Sequence, residues 1–421
     1  MLNSDSTLTL AKTTDLPKEA IPFMEDDLAV ALLTGGQDRS YALGLAMALC
    51  AKGIRVEVIG NELVDSTEFH TTPKLSFLNM GGIPQPDVGF SRKLFQVLQY
   101  YARLIRYVAI AKPRLFHILW NSKLEYFDRT VLMIYFKFFG KRVILTAHNV
   151  NKARRDSEDS LLNRLTLRFQ YHLTDRIFTH TEKMKTELIQ GFGVGKSAVR
   201  VIPFGVNSTL PDTSLTPEAA KRTLGITSKE RTILFFGRIV PYKGLEYLLA
   251  AFETLNARNP NYRLIIAGEP MKGYERYVED IQRAIDQSGY ADRVIQKFQF
   301  IPDKEAELYF KAADALALPY KDIFQSGVLF LGFAFGLPAI AADVGSFRED
   351  LIIGKTGYVF NPGDSAELAN ALETYFESDL YKRLNDKNRQ EIRDQMKARH
   401  SWDKVGHITR EVYKELVNYC Q

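Results

Sequence analysis

One feature limits this chain more than any other: a strict alternation of short apolar runs with helix-patterned segments, and it runs through the sequence twice. The first series is "LAVALL" at 28–33, "IRVEVIG" at 54–60, "LFHILW" at 115–120, "RVILTA" at 142–147, "DRIFTHT" at 175–181 and "AVRVIPFGV" at 198–206. The second is "RTILFFGR" at 231–238, "YRLIIAGE" at 262–269, "RVIQKFQFIPD" at 293–303, "DALALPY" at 314–320, "PAIAADVG" at 338–345 and "GYVF" at 357–360. Buried strands separated by helices are the pattern of a parallel sheet wrapped on both faces. A chain of 421 residues exceeds the size at which a single core stops growing, about 250–300 residues. The expected architecture is therefore α/β, with two Rossmann-like domains facing a central cleft.

The boundaries follow from where the alternation breaks. Residues 1–25 form an N-terminal extension and 26–207 the first domain. Residues 208–230, "STLPDTSLTPEAAKRTLGITSKE", are polar, with two prolines and a short helix, and read as the linker. Residues 231–400 form the second domain, and 401–421 a C-terminal helix expected to pack back toward the first. In sheets of this kind ligands bind outside the carboxyl ends of the strands.

Composition narrows the function classes. A hydrophobic fraction of 46% and a charged fraction of 25% are those of an ordinary globular protein. The two cysteines, Cys50 and Cys420, have no partner spacing, so neither a disulfide framework nor a zinc site is expected. The first apolar stretch is broken by Glu25, Asp26 and Asp27, which does not fit a secretory signal. The twenty uncharged residues from Ile323 to Ala342 are long enough to span a bilayer, but they hold three glycines and Pro338 and read as a buried helix plus a buried strand. A cytoplasmic location is expected. The net charge of +5 resides in the first half, densest between "SRKLFQVLQYYARLIRYVAIAKPR" and "NVNKARR", and points to an acidic partner. No recognition motif or stacking platform accompanies these cations, so nucleic acid is not expected.

Chemistry is most legible after the first strand of the second series. Gly237 permits a tight turn, and Arg238 and Lys243 follow before a helix opens at Gly244. Two cations beside a strand's carboxyl end suit a diphosphate; the same spacing fits two solvated surface residues. "QSGVLFLGFAFGLP", Gln325 to Pro338, places a helix start at the mouth of an apolar segment. Ser326 is a capping residue, Gly327 admits an anion closely, and Val328 offers an N–H to it. A plain capped core helix fits these residues as well.

These blocks, together with "YRLIIAGEP", "FQFIPDKEAELYFKAADALALPY", "GVLFLGFAFGLPAIAADVGSFREDLIIGKTGYVFNPGDSAELANAL" and "HSWDKVGHITREVY", resemble in order the C-terminal domain of the family 4 glycosyltransferases of the GT-B fold. "GGQDRSYALGLAMALCAKG" and "TAHNV" resemble the N-terminal domain more loosely. The resemblance implies a nucleoside diphosphate sugar donor, a UDP-sugar ahead of a GDP-sugar, with no further cofactor and no metal; no Asp-x-Asp pair is present to hold one. It places Arg238 and Lys243 on the diphosphate and Gly35 and Gly36 against the leaving phosphate. His148 falls at the transferred sugar, and the backbone of Ile301 at the nucleobase. The family's two signature glutamates, separated by seven residues, fall on Ile323 and Leu331; Asp322 or Gln325 stands in for the first, and the second has no replacement.

Without facing carboxylates for double displacement, the expectation is transfer with retention through an oxocarbenium-like state, to a glycan or lipid-linked acceptor in polysaccharide or glycoconjugate assembly. The alternatives are a non-catalytic nucleotide-sugar-binding protein and a Rossmann oxidoreductase; the first loop lacks the G-x-G-x-x-G that the latter needs. Residues 91–114 read as an amphipathic helix. Its apolar stripe runs through Leu94, Val97, Leu98, Tyr101, Leu104, Ile105 and Val108, and the flanking Arg and Lys fit either an anionic membrane surface or a solvated outer face.

Overall fold

The computed structural model describes residues 28–82, 90–156, 158–205 and 213–418. The N-terminal extension and Cys420 lie outside the described residues.

The first sheet has seven strands: β1 (Ala29–Leu33), β2 (Arg55–Gly60), β3 (Leu75–Asn79), β4 (Leu115–Ile118), β5 (Arg142–Thr146), β6 (Arg176–Thr179) and β7 (Val199–Val201). All pair in parallel, in the order β3-β2-β1-β4-β5-β6-β7. The second has six: β8 (Arg231–Phe236), β9 (Tyr262–Ala267), β10 (Val294–Lys297), β11 (Ala315–Leu318), β12 (Ala339–Ala342) and β13 (Gly357–Phe360), in the order β10-β9-β8-β11-β12-β13, again parallel. Both orders reverse beside the first strand of the series, between β1 and β4 and between β8 and β11. These reversals open the crevices in which doubly wound sheets bind ligands.

The strands are apolar on both faces because both faces are covered. Val30 and Leu32 pack into one cluster and Ala31 and Leu33 into the opposite one. In the second domain Ile233 and Phe235 take one side, Leu234 and Phe236 the other.

Two segments differ from their sequence reading, and a third, the long uncharged stretch, matches it. Residues 213–230 are polar, yet they are built into the second domain. Ala220 and Ile226 join its core, the Thr213 N–H donates to Glu307 Oε1 at 2.7 Å, and Lys221 pairs with Asp314 at 2.7 Å. The amphipathic helix spans Phe90–Ile110, not 91–114, because Pro113 cannot continue a helix and Arg114 already leads into β4. Of its stripe, Tyr101, Leu104 and Val108 are buried, but Leu94 and Leu98 are exposed. The long uncharged stretch divides into the helix Gly327–Ala334 and β12. It turns at Gly336, at φ 64°, where a β-carbon would stand 2.2 Å from the Arg389 carbonyl oxygen. No helix among the described residues is long and apolar enough to cross a membrane.

The helix Trp402–Asn418 returns to the first domain. Val405, Val412, Tyr413 and Leu416 bury themselves in its core, each contributing about 1.5–3 kcal/mol for apolar burial. Close approach needs glycine: a β-carbon at Gly406 would lie 2.9 Å from the Ala48 carbonyl oxygen, and one at Gly44 or Gly205 would lie 2.2 Å from the Trp402 ring. The domains also meet where Phe204 stacks on Phe330 at 4.8 Å and where Phe324 packs on the first-domain core.

Candidate functional site

β8 ends at Phe236, and Gly237 turns the chain at φ 89°, a left-handed conformation that favours glycine. A β-carbon there would stand 2.9 Å from Lys243 Nζ and 3.2 Å from Val328 Cγ2. Lys243 and Val328, distant in sequence, thus both border Gly237. The turn Pro241–Lys243 that carries the lysine is pinned by Gly244, at φ 66°, where a β-carbon would meet the Pro319 carbonyl oxygen at 2.1 Å.

Lys243 is only 6% exposed, and its amine donates to the Phe236 carbonyl at 3.3 Å. It also lies over the rings of Tyr320 and Phe235, at 5.4 and 5.9 Å. Among the described residues no carboxylate pairs with it. Burial, and then the charge of Arg238, push its pKa down to about 7. A buried ammonium with one weak neutral acceptor is costly unless an anion arrives to pair with it. Arg238 itself is exposed.

The helix Gly327–Ala334 starts beside this amine. Ser326 occupies the capping position, but its hydroxyl accepts no N–H of the helix, contrary to the sequence expectation. The first-turn N–H groups are therefore not satisfied by a side-chain cap and keep their affinity for an anion. Gly327 is not dictated by packing, since a β-carbon there would meet nothing within 4 Å. Both amide atoms of Gln325 are buried just before the helix start, with the side chain facing the Asp350 carboxyl.

Gly35 and Gly36 turn the loop after β1 at φ 58° and 73°. A β-carbon on Gly35 would stand 2.6 Å from the Asn121 carbonyl oxygen, and one on Gly36 would stand 2.4 Å from the Asn61 amide nitrogen. The loop is wedged between the ends of β2 and β4.

His148, just beyond β5, stacks on Trp120 with ring centroids 4.2 Å apart and planes within 3°. Its Nδ1 lies 3.1 Å from Nε2 of His180, whose own Nδ1 lies 3.3 Å from the Ile202 carbonyl oxygen. Burial holds the His180 imidazole down at about 4 and that of His148 well below its ordinary value, so both are neutral. A carbonyl only accepts, so His180 carries its proton on Nδ1 and receives the Nδ1–H of His148 on Nε2. His148 Nε2, buried and without a partner, is left with a lone pair that can accept a hydroxyl. The groove around it, about 230 Å³, is also lined by Gln37, Trp120, Asn121, Lys152 and Gln170. Trp120 and His180 were missed from sequence: they sit at the ends of other strands, and only the sheet order brings them to His148.

The remaining candidates divide. Ile301 is buried in the second-domain core, which leaves only its backbone for a ligand. Ile323 and Leu331 pack into the same core, and Asp322 is exposed.

Two family profiles match the chain in tandem. Residues 34–210 match the one described as Glycosyltransferase Family 4, and residues 217–398 the one described as Glycosyl transferases group 1. This chain belongs to the family 4 glycosyltransferases of the GT-B fold.

Among curated relatives, a D-inositol 3-phosphate glycosyltransferase of Corynebacterium diphtheriae is 29% identical over 254 residues, covering 56% of this chain and 57% of the relative. The match therefore spans little more than half of that protein. One from Rhodococcus opacus is 24% identical over 345 residues, covering 79% and 76%. Among solved structures, sucrose-phosphate synthase from Thermosynechococcus elongatus superposes with a TM-score of 0.74 at 19% identity, over 93% of this chain and 100% of that one. Anabaena Alr3699/HepE in complex with UDP superposes with a TM-score of 0.70 at 18% identity, over 92% and 100%. At these identities the structural matches establish the GT-B fold of this family 4 chain.

Proposed function

We propose that this protein transfers a sugar from a UDP-sugar, in preference to a GDP-sugar, to a hydroxyl of a glycan or lipid-linked acceptor, with retention of configuration and no bound metal. One observation carries the reading: a buried lysine amine without a carboxylate among the described residues, bordering Gly237 together with Val328, at a helix start whose N–H groups have no side-chain cap. A neighbour of the same fold in complex with UDP-glucose supports the choice of donor.

In this reading Lys243, Arg238 and the N–H groups at Gly327 and Val328 bind the diphosphate across Gly237. Gly35 and Gly36 let the first-domain backbone approach from the opposite side, and the backbone at Ile301 faces the base. His148 Nε2 accepts a hydroxyl of the donor sugar and fixes the ring. The anomeric C–O bond breaks with its electron pair passing to the phosphate oxygen, whose charge these donors stabilise. The acceptor hydroxyl adds from the same face and gives its proton to that oxygen. With Leu331 in the core, no side chain from that position reaches the ribose, and Gln325 takes the sugar contact of the first missing glutamate.

The reaction is assigned to the cytoplasmic face of a membrane, with peripheral attachment through the basic first domain, in polysaccharide or glycoconjugate assembly. The test is UDP release from a panel of UDP- and GDP-sugars with crude membrane extract as acceptor source, followed by NMR of the product's anomeric centre. Binding without release would leave a nucleotide-sugar-binding protein, and an inverted product would exclude same-face transfer.

A further inference from the structure

We propose that the outer face of the first domain's three-helix layer, formed by the helix Phe90–Ile110, the helical stretch 125–138 and the helix Leu161–Leu173, docks on an anionic lipid bilayer. The three lie side by side on one face of the first sheet. Leu104 and Val108, Met133 and Phe136, and Leu167 and Tyr171 all face inward into a single cluster. The Tyr135 hydroxyl donates to the Ile105 carbonyl at 3.1 Å, and Arg129 donates to Asn163 Oδ1 at 2.8 Å, so each helix is tied to its neighbour.

A solvated helix layer is polar on its outer side. This one is not. Of the nineteen large apolar side chains that are exposed among the described residues, fourteen fall between Leu94 and Phe169. They recur at helical spacing on each outward face: Leu94 and Leu98, Ile134 and Phe138, Leu161 and Leu165, with Phe138 at 80% and Leu161 at 73% exposure. Exposed apolar area gathered on one layer marks an interaction surface.

Charge names the occupant. Residues 90–173 hold sixteen Lys and Arg against five Asp and Glu, and although Arg129 and Lys141 among them are buried, Arg92, Lys93, Arg103, Arg106, Arg164 and Arg168 are exposed on these helices. A strongly basic face studded with Leu, Ile and Phe matches the boundary of an anionic bilayer, where cations meet headgroups and apolar side chains enter the acyl region. A second copy of this chain would set like charge against like.

The surface lies next to the candidate site. The groove lined by Leu124, Tyr126 and Asn163 shares Glu125, Arg129 and Lys152 with the groove that holds His148. A headgroup emerging from the bilayer would reach His148 by this route. That last step rests on the transferase reading; the docking itself does not.

The test is flotation with vesicles of phosphatidylcholine alone and with about 30 mol% phosphatidylglycerol. Wild-type protein should float with the anionic vesicles and be released at about 0.5 M salt, where screening is short-ranged. Ile134→Ser/Phe138→Ser and Leu161→Ser/Leu165→Ser change only exposed side chains, and melting curves check their folding. Each should lower the vesicle-bound fraction roughly tenfold, with UDP release to a soluble acceptor unchanged. Failure of UDP release in protein that still floats would count against the transferase reading alone. Three results overturn the docking proposal: no flotation of wild type on either vesicle, flotation of folded variants at the wild-type level, or a dimer by light scattering that the same substitutions dissociate.

Discussion

Lys243 Nζ stands 2.9 Å from the position a β-carbon on Gly237 would take. The turn that frees space at Gly237 thus sets a buried ammonium at the carboxyl end of β8, facing the start of the helix Gly327–Ala334. The electrostatics of the proposed donor site follow from that contact.

Without nucleotide, the lysine is a liability to the fold. Its pKa falls from 10.5 unfolded to about 7 folded. Between those values the unfolded chain binds the proton and the native state does not, so stability rises with pH through this window. Below about 7 both states are charged and the native state bears the full penalty. Denaturant titrations of Lys243→Met at pH 7 should therefore show a protein at least as stable as wild type, with the rise between pH 7 and 10 reduced. At the same time kcat/KM should fall by about 10²–10³, the loss typical of a transition-state charge donor.

Gly327 separates folding from binding. Its position is open, and alanine is the better helix former by roughly 0.5–1 kcal/mol. Gly327→Ala should keep or raise Tm and weaken UDP binding about tenfold, since one methyl group at an anion's approach costs roughly 1–3 kcal/mol. A variant with unchanged affinity would place the diphosphate away from this helix.

In the proposed reaction His180 acts on the sugar only by fixing the tautomer of His148. His180→Phe should lower kcat/KM about tenfold, as for other residues that orient a functional imidazole. Combining it with His148→Ala should cost little more than His148→Ala alone, because coupled residues are not additive. Additive losses in the double-mutant cycle would assign His180 a separate role.

What the sequence revealed depended on the range of each interaction. The β/α alternation, the Gly237–Arg238–Lys243 turn and the helix start at Gly327 are local, written within a few residues of themselves, and could be read directly. The His148–His180–Trp120 group could not: three residues from the ends of three strands meet only through the strand order β4-β5-β6. Leu94 and Leu98 show a third case. Periodicity correctly marks an apolar helix face, but what covers that face depends on neighbouring helices, and here Tyr101 onward is covered while the first turns are not. The polar composition of 213–230 misled for the converse reason, since Lys221 and Thr213 satisfy themselves on buried carboxylates of the second domain.

The returning helix carries a structural prediction. Buried His117 contacts the Tyr413 hydroxyl at 2.6 Å through Nδ1 and Thr146 Oγ1 at 2.7 Å through Nε2, and burial holds its pKa down at about 3. Tyr413→Phe leaves Nδ1 buried without a partner, a loss of about 1–3 kcal/mol. Chemical denaturation should show this destabilisation, with UDP affinity unaffected.

The assignment of the diphosphate to Lys243 is tested most directly by calorimetry of UDP binding at pH 8 in buffers of differing ionisation enthalpy. The amine, largely neutral at that pH when unoccupied, must become charged to pair with the phosphates. Wild-type protein should take up close to one proton per UDP bound, and Lys243→Gln essentially none, with weaker binding. Equal proton uptake and equal affinity in the two proteins would contradict it.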